Sequence, residues 1–243
     1  MAGLRNMRSR RGLVVAAALV LVLAAGASAY FLFFTPSSPE RLSVSPQPPS
    51  NQLRPTAGDI DGIWRPTAAS VVGYRVREKL AGLPAASDAV GRTSAVTGSV
   101  RARMQGETIT ATDANFTADL TQLRSDEARR DNRIRTLGLE TERYPTATFV
   151  STAPIELPAT ILSGQTSQVG VAGDLTIHGV TRPVTIPMDV RASGAVVEAA
   201  GALTFPFSDF GMDPPNIGGF VTVESDPTLE FKLVLAKEGG TPA

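Results

Sequence analysis

The feature that most constrains this chain is a repeated alternation of apolar and polar residues with a period of two. Val72, Tyr74 and Val76 alternate with Gly73, Arg75 and Arg77, the pattern of a strand with one wet and one dry face. Comparable runs cover residues 93–104, 108–119, 146–152, 168–177, 184–191, 195–205 and 221–235. The last contains Pro227, which cannot donate to a sheet ladder, so it is one broken strand or two. Gly and Pro punctuate the intervals, and many short strands with regular turns predict an antiparallel barrel or sandwich. Residues 125–138 depart from the period. Ser125 is placed to cap a helix, with Asp126 and Glu127 in its first turn and Gly138 as its stop.

The residue inventory removes most catalytic chemistry. There is no cysteine, so disulfides, thiolate metal sites and cysteine nucleophiles are excluded. The single histidine, His178, excludes metal sites built on several imidazoles and is the only base available to a serine triad. Twenty-three basic and 23 acidic residues give a formal net charge of zero, which argues against nucleic acid as a partner. No metal, cofactor or catalytic residue is expected.

The N-terminal part concerns location. Arg5, Arg8, Arg10 and Arg11 lie in a basic segment, residues 1–11, ahead of an uncharged run over residues 12–34. As a helix at ~1.5 Å per residue, that run spans about 34 Å, enough for a ~30 Å hydrocarbon core. With the basic residues held in the cytoplasm, the remainder lies outside. The run reads as a single-pass membrane anchor or as a cleaved signal sequence. Ala27-Ser28-Ala29 fits a cleavage site, but cleavage there would leave Tyr30, Phe31, Leu32, Phe33 and Phe34 bare at a new N-terminus. Those aromatics suit an interfacial belt, which favours the anchor. Residues 35–58 carry six prolines and several serines and read as a semi-rigid linker. One folded unit, residues 59–237, and a disordered tail, residues 238–243, complete the organisation.

Three stretches carry a resemblance to a known family. RRDNRIRTLGLETERYPTATFVS (129–151) has an Arg-Asp helix, an acidic stretch, Tyr-Pro and a strand ending in Phe-x-Ser. GDLTIHGVTRPVTI (173–186) is a long hairpin motif, and FSDFGM (207–212) is a Ser-Asp-Phe-Gly turn. Together, and in this order, they resemble the YceI family of lipocalin-like, polyisoprenoid-binding proteins. The likeness extends over residues 63–235. It implies a mainly β fold, an eight-stranded antiparallel lipocalin-like barrel with a short helical insertion. It also implies a tunnel for a long lipid, commonly an isoprenoid chain, and no catalytic machinery. Where the family often has histidine after Arg-Asp-x, this chain has Arg133, so a contact through that imidazole does not carry over.

A barrel tunnel needs inward apolar walls and a few polar groups at one mouth. Val72, Tyr74, Val76, Phe116, Phe149, Ile177, Phe205, Phe207 and Phe220 are the candidate wall residues, each equally readable as plain core. Arg130 and Arg133 are the candidate head-group residues. The competing role of Arg130 is an ion pair with Asp126 or Asp131, and that of Arg133 is a solvated helix face. His178 and Asp209 fall at turns, where holding backbone competes with any chemical role. The expected function is non-catalytic binding, sequestration or transport of a long-chain apolar lipid outside the cytoplasmic membrane. The alternatives are an enzyme acting on a lipid or small apolar substrate in the same barrel, and a structural domain with a filled barrel. The expected partners are the lipid and, through the N-terminal helix, a membrane; a homodimer is left open.

Overall fold

The computed structural model describes residues 38–46, 60–80, 86–193, 195–214 and 221–239. The expected anchor at residues 12–34 and the wall candidate Phe220 lie outside them. Among the described residues no helix is long and apolar enough to cross a membrane.

Twelve strand segments follow in order: β1 (Gly62–Pro66), β2 (Val71–Leu80), β3 (Ser87–Thr93), β4 (Val96–Gln105), β5 (Thr108–Asp119), β6 (Thr146–Ser151), β7 (Ile155–Pro158), β8 (Ser167–Ile177), β9 (Val180–Ser193), β10 (Val196–Thr204), β11 (Val221–Val223) and β12 (Thr228–Lys237). Neighbouring strands run β1-β4-β5-β6-β8-β9-β10-β12, and β1 pairs β12 as well as β4, so the ring closes. β2 carries the line of β1 onward, pairing β12 on one side and β3 on the other. β7 takes the place beside β5 that β6 leaves. The result, among the described residues, is a closed antiparallel barrel of eight staves with one short α-helix.

The alternation explains the staves. In β8, Val171, Gly173, Leu175 and Ile177 are buried while Ala172, Asp174 and Thr176 between them are half-buried. A bulge between β4 and β5 re-aims both strands: the register shifts between Ser99 and Arg101, and Asp113 has φ 56°. Gly98 sits opposite at φ +134°, where a Cβ would lie 2.1 Å from the Asn115 carbonyl oxygen, so only glycine fits. The run over residues 221–235 is two strands, β11 and β12, parted by residues 224–227, which include Pro227. The run starting at Thr93 likewise divides, Thr93 ending β3 and Val96 starting β4.

The helix differs from its expected bounds. α1 (Ala128–Arg133) is capped by Glu127, whose side chain accepts from the Arg129 amide, and runs into a π-helical turn, Ile134–Gly138. Ser125 is drawn instead to Asp131, its Oγ donating to Oδ1 at 2.7 Å.

One end of the barrel is sealed. Trp64 donates its indole N–H to the Ile60 carbonyl at 2.9 Å, and both pack among Val100, Ala102, Ile109, Leu157, Ile161, Leu233 and Leu235. Near the other end Leu175, Ile177, Phe210 and Met212 form a second cluster, with Phe205 edge-on to Phe210 at 4.8 Å. Burying a side chain as completely as Phe210, 1% exposed, contributes roughly 1.5–3 kcal/mol.

The outer wall holds charge that is nevertheless buried. Glu230 on β12, 1% exposed, meets Arg92 at 2.9 Å and Arg75 at 3.4 Å, and Arg75 also reaches Asp88 at 3.1 Å. Further along, Glu198 on β10 meets Arg191 at 3.2 Å and Lys232 at 3.5 Å. The cover over both clusters is residues 38–46, part of the stretch that composition marks as a linker. Arg75 donates to the Pro39 carbonyl at 2.7 Å, the Asp88 amide donates to Ser38 Oγ at 3.2 Å, and Arg92 donates to the Glu40 carbonyl. Ser45 donates through both its amide and its hydroxyl to Glu198, each at 2.7 Å, and Lys232 donates to Ser45 Oγ at 2.7 Å. These residues form a strap laid along the barrel, not a free spacer.

Burial works to raise the Glu198 carboxyl, but the Ser45 hydrogen bonds outweigh it, aided by Lys232 and Arg191, and hold it below its ordinary value. A carboxyl lowered in the docked state adds stability above its ordinary pKa, and that contribution is lost as pH falls through the lowered value. The strap is expected to stay docked at neutral pH and to loosen in acid, below roughly pH 4.3. Hydrogen exchange at the Ser45 amide, corrected for its intrinsic pH dependence, checks this. Protection that does not fall in acid would place the docking energy elsewhere.

Candidate functional site

The inward faces of the staves line two adjacent chambers that share wall residues. The inner one, about 160 Å³, reaches from the Trp64 end upward and is walled by residues including Val72, Val100, Ala102, Ile109, Phe116, Phe149, Val171, Ile186, Phe231 and Leu233. Apart from Thr117 and Thr148, its lining side chains are hydrocarbon, indole or thioether. The outer one, about 410 Å³, is walled by Tyr74, Val76, Ile177, Phe205, Phe207, Met212 and Val223, with Ile134 and Leu139 contributed by the helical segment. Val72, Ala147 and Leu229 border both chambers.

Phe116 and Phe149 face one another across β5 and β6 in direct register. Phe149 owes its position to Gly173 on β8, where a Cβ would come within 2.4 Å of the ring and 2.5 Å of the Val150 carbonyl oxygen. The conformational room of one glycine thus sets an aromatic against the cavity. Of the nine expected wall residues, the eight that are described line one chamber or the other, Val72 bordering both, and Phe220 lies outside the described residues.

Polar groups gather at the outer rim: Glu78, Thr93, Glu127, Arg129, Arg130 and Arg133. Arg130 is not free. Its guanidinium bridges from α1 to Glu78 on β2 at 3.1 Å and to Asp126 on its own segment. Burial opposes its charge, yet the hydrogen bonds and charges of Glu78 and Asp126 raise its pKa above the ordinary value. Arg130 therefore staples the helix to the barrel. Asp131, expected as another partner, serves Ser125. Arg133 is exposed, lines the rim, and has no side-chain partner among the described residues; Arg129, four residues earlier, matches it. Beneath them the Tyr74 hydroxyl is buried without a partner among the described residues, and burial, only partly opposed by Arg130, pushes its pKa up. Tyr74 is a neutral phenol there at any physiological pH.

His178 closes the β8–β9 hairpin at φ 52°, its ring 4.3 Å from that of Tyr144 and its Nε2 3.4 Å from the Glu140 carboxylate. Glu140 itself has φ 45°. Two residues in the left-handed region in mutual contact fix the loop after the helical segment onto the hairpin. His178 is absent from the lining of both chambers. The Asp209 side chain is exposed, and Gly211, at φ 66°, ends its turn.

Sequence reasoning passed over the chamber floor, Trp64 because β1 is too short to display alternation and Ile60 because it precedes that strand. It also passed over Arg129, although the i, i+4 spacing with Arg133 was a readable signal.

A family model described as YceI-like domain matches residues 66–235. A UPF0312 protein of Vibrio campbellii is 37% identical over 81 residues, 33% of this chain and 39% of that one. A UPF0312 protein of Vibrio cholerae is 29% identical over 123 residues, 48% of this chain and 61% of that one. The chain thus spans less than two thirds of these relatives' length. Among solved structures, a polyisoprenoid binding domain from Saccharophagus degradans, implicated in plant cell wall breakdown, is similar with a TM-score of 0.55 at 16% identity, covering 73% of this chain and 99% of that one. BcnA of Burkholderia cenocepacia gives 0.50 at 24% identity, with 70% and 98% covered. At these identities the likeness is one of fold.

Proposed function

The chain belongs to the YceI family, and from that membership we propose that its barrel holds a long-chain apolar lipid, a polyisoprenoid first among the candidates, without altering it chemically. The observation that carries this reading is the pair of adjacent chambers that share wall residues, the inner one almost wholly apolar and the charged groups confined to the outer rim. A cavity of that form takes a single tail, inserted end first, and leaves one polar group at the rim. Each five-carbon unit buried contributes ~4 kcal/mol gross at ~0.8 kcal/mol per CH₂. Three or four units offset an association cost of ~4–15 kcal/mol. The Saccharophagus degradans domain of the same fold is a polyisoprenoid binding domain, which favours this cargo over other apolar chains. The polar end falls to Arg133 and its neighbour Arg129, because Arg130 is committed to Glu78 and Asp126. The arginine-flanked apolar run at residues 12–34 supports a location outside the cytoplasmic membrane, held there by that run.

Organic extraction of the purified protein followed by mass spectrometry tests the cargo. An intact prenyl or other long-chain lipid in molar proportion to protein is the expected result. Added back, that lipid should stabilise the barrel by ~2.7 kcal/mol at one hundred times its dissociation constant. No recovered lipid and no stabilisation by any long-chain lipid would overturn the reading, and progressive conversion of the bound lipid would make the protein an enzyme.

A further inference from the structure

The rim faces solvent as well as the cavity, and its outward side has a character of its own. Arg129 and Arg133 are one helical turn apart on α1, and Leu137 follows one turn later, so the three make a single stripe. Both arginines are exposed, and Leu137 is 75% exposed. A lone exposed leucine is ordinary on a protein surface. Here it stands beside two guanidiniums with no partner among the described residues, at the mouth of an apolar cavity. None of the acids of the same segment forms an ion pair with either arginine among the described residues. Asp126 is taken by Arg130, Asp131 by Ser125, and the Glu127 side chain caps α1 through the Arg129 amide. Apolar insertion flanked by cations is the pattern by which a helix rests on an anionic lipid surface.

We propose that the stripe of Arg129, Arg133 and Leu137 is a docking surface for an anionic bilayer leaflet, which brings the cavity mouth onto its lipid source. The two arginines pair with leaflet phosphates, Leu137 enters the acyl boundary, and Ile134 and Leu139, which line the outer chamber on the same segment, extend an apolar path inward. The purpose of this docking rests on the cargo reading above; the docking itself is measurable without it.

The test uses the full chain reconstituted in vesicles of phosphatidylcholine, with or without phosphatidylglycerol, containing brominated lipid. The Leu137→Trp variant reports contact by quenching beyond that of the unsubstituted chain, whose own tryptophan, Trp64, lies at the floor of the inner chamber and is measured alongside as the reference. Quenching at position 137 is expected in anionic vesicles, weak in neutral ones, and reduced by salt. Adding Arg129→Gln and Arg133→Gln should shift the docking equilibrium roughly 25-fold, about fivefold for each charge removed. Equal quenching in neutral and anionic vesicles, none in either, or no response to loss of the arginines would overturn the proposal. Absence of quenching with an extractable lipid still in the barrel defeats the docking surface alone. Quenching with no extractable lipid defeats the cargo reading alone.

Discussion

Glu230→Ala is expected to lower the unfolding free energy of the barrel by about 3–5 kcal/mol, a fall of roughly 6–20 °C in Tm for a domain of this size. Glu230 is 1% exposed and accepts from Arg75 through two guanidinium nitrogens at 3.4 Å and from Arg92 at 2.9 Å. Its removal leaves the Arg75 guanidinium, 6% exposed in its side chain, with one carboxylate, Asp88, and the Pro39 carbonyl. A buried charge stripped of its partner costs far more than the pair contributed while intact. Arg65 and Glu238 provide the internal comparison, paired at 3.2 Å with side chains 52% and 51% exposed. Arg65→Ala should cost no more than about 1 kcal/mol. Glu230→Gln keeps the shape and part of the hydrogen bonding and should fall between the two. Thermal and urea unfolding of the three variants distinguishes the cases, and a Glu230→Ala loss under about 1 kcal/mol would mean that water reaches the cluster despite the strap.

That cluster also shows where sequence legibility ends. Staves with one wet face announced themselves: β5, β8 and β10 lie close to the runs of alternating residues that predict them. β1 and β7, five and four residues long, are too short for a period to register. Asp88 and Arg92 on β3 look like ordinary wet-face residues, as do Arg75 and Glu230, because alternation reports the side of a sheet and not what covers it. Their cover comes from residues 38–46, where proline and serine suggest a spacer. The strap docks largely through backbone carbonyls, an amide and small hydroxyls, groups that composition does not distinguish from those of any linker. The helix start was misplaced for a related reason. Ser125 has the chemistry of a cap, but a carboxylate six residues on claimed its hydroxyl, and Glu127 capped instead. The cavity wall was more legible than its rim, since an inward aromatic is fixed by strand parity. Whether an arginine is free or paired depends on Glu78, a residue far away in sequence.

Phe149→Asp should abolish lipid binding while the barrel remains folded. Phe149 stands in register with Phe116 and faces the inner chamber, in the room that Gly173 leaves it. It is half-buried, so in the empty barrel an aspartate at this place can draw water into the chamber and stay solvated. A bound chain would expel that water and leave an ionised carboxylate against hydrocarbon, with no cation among the residues lining the inner chamber. At ~3 kcal/mol or more for such desolvation, affinity falls at least ~100-fold. Phe149→Ala separates charge from shape. It removes ring contacts but leaves the chamber apolar, so it should weaken binding far less than the aspartate. Fluorescent-lipid titration of both variants, with circular dichroism confirming the β fold, reads the difference. If the two substitutions weaken binding equally, the ring's contacts and not the dryness of the chamber hold the chain. If neither weakens it, the lipid lies elsewhere and the inner chamber is only the barrel's core.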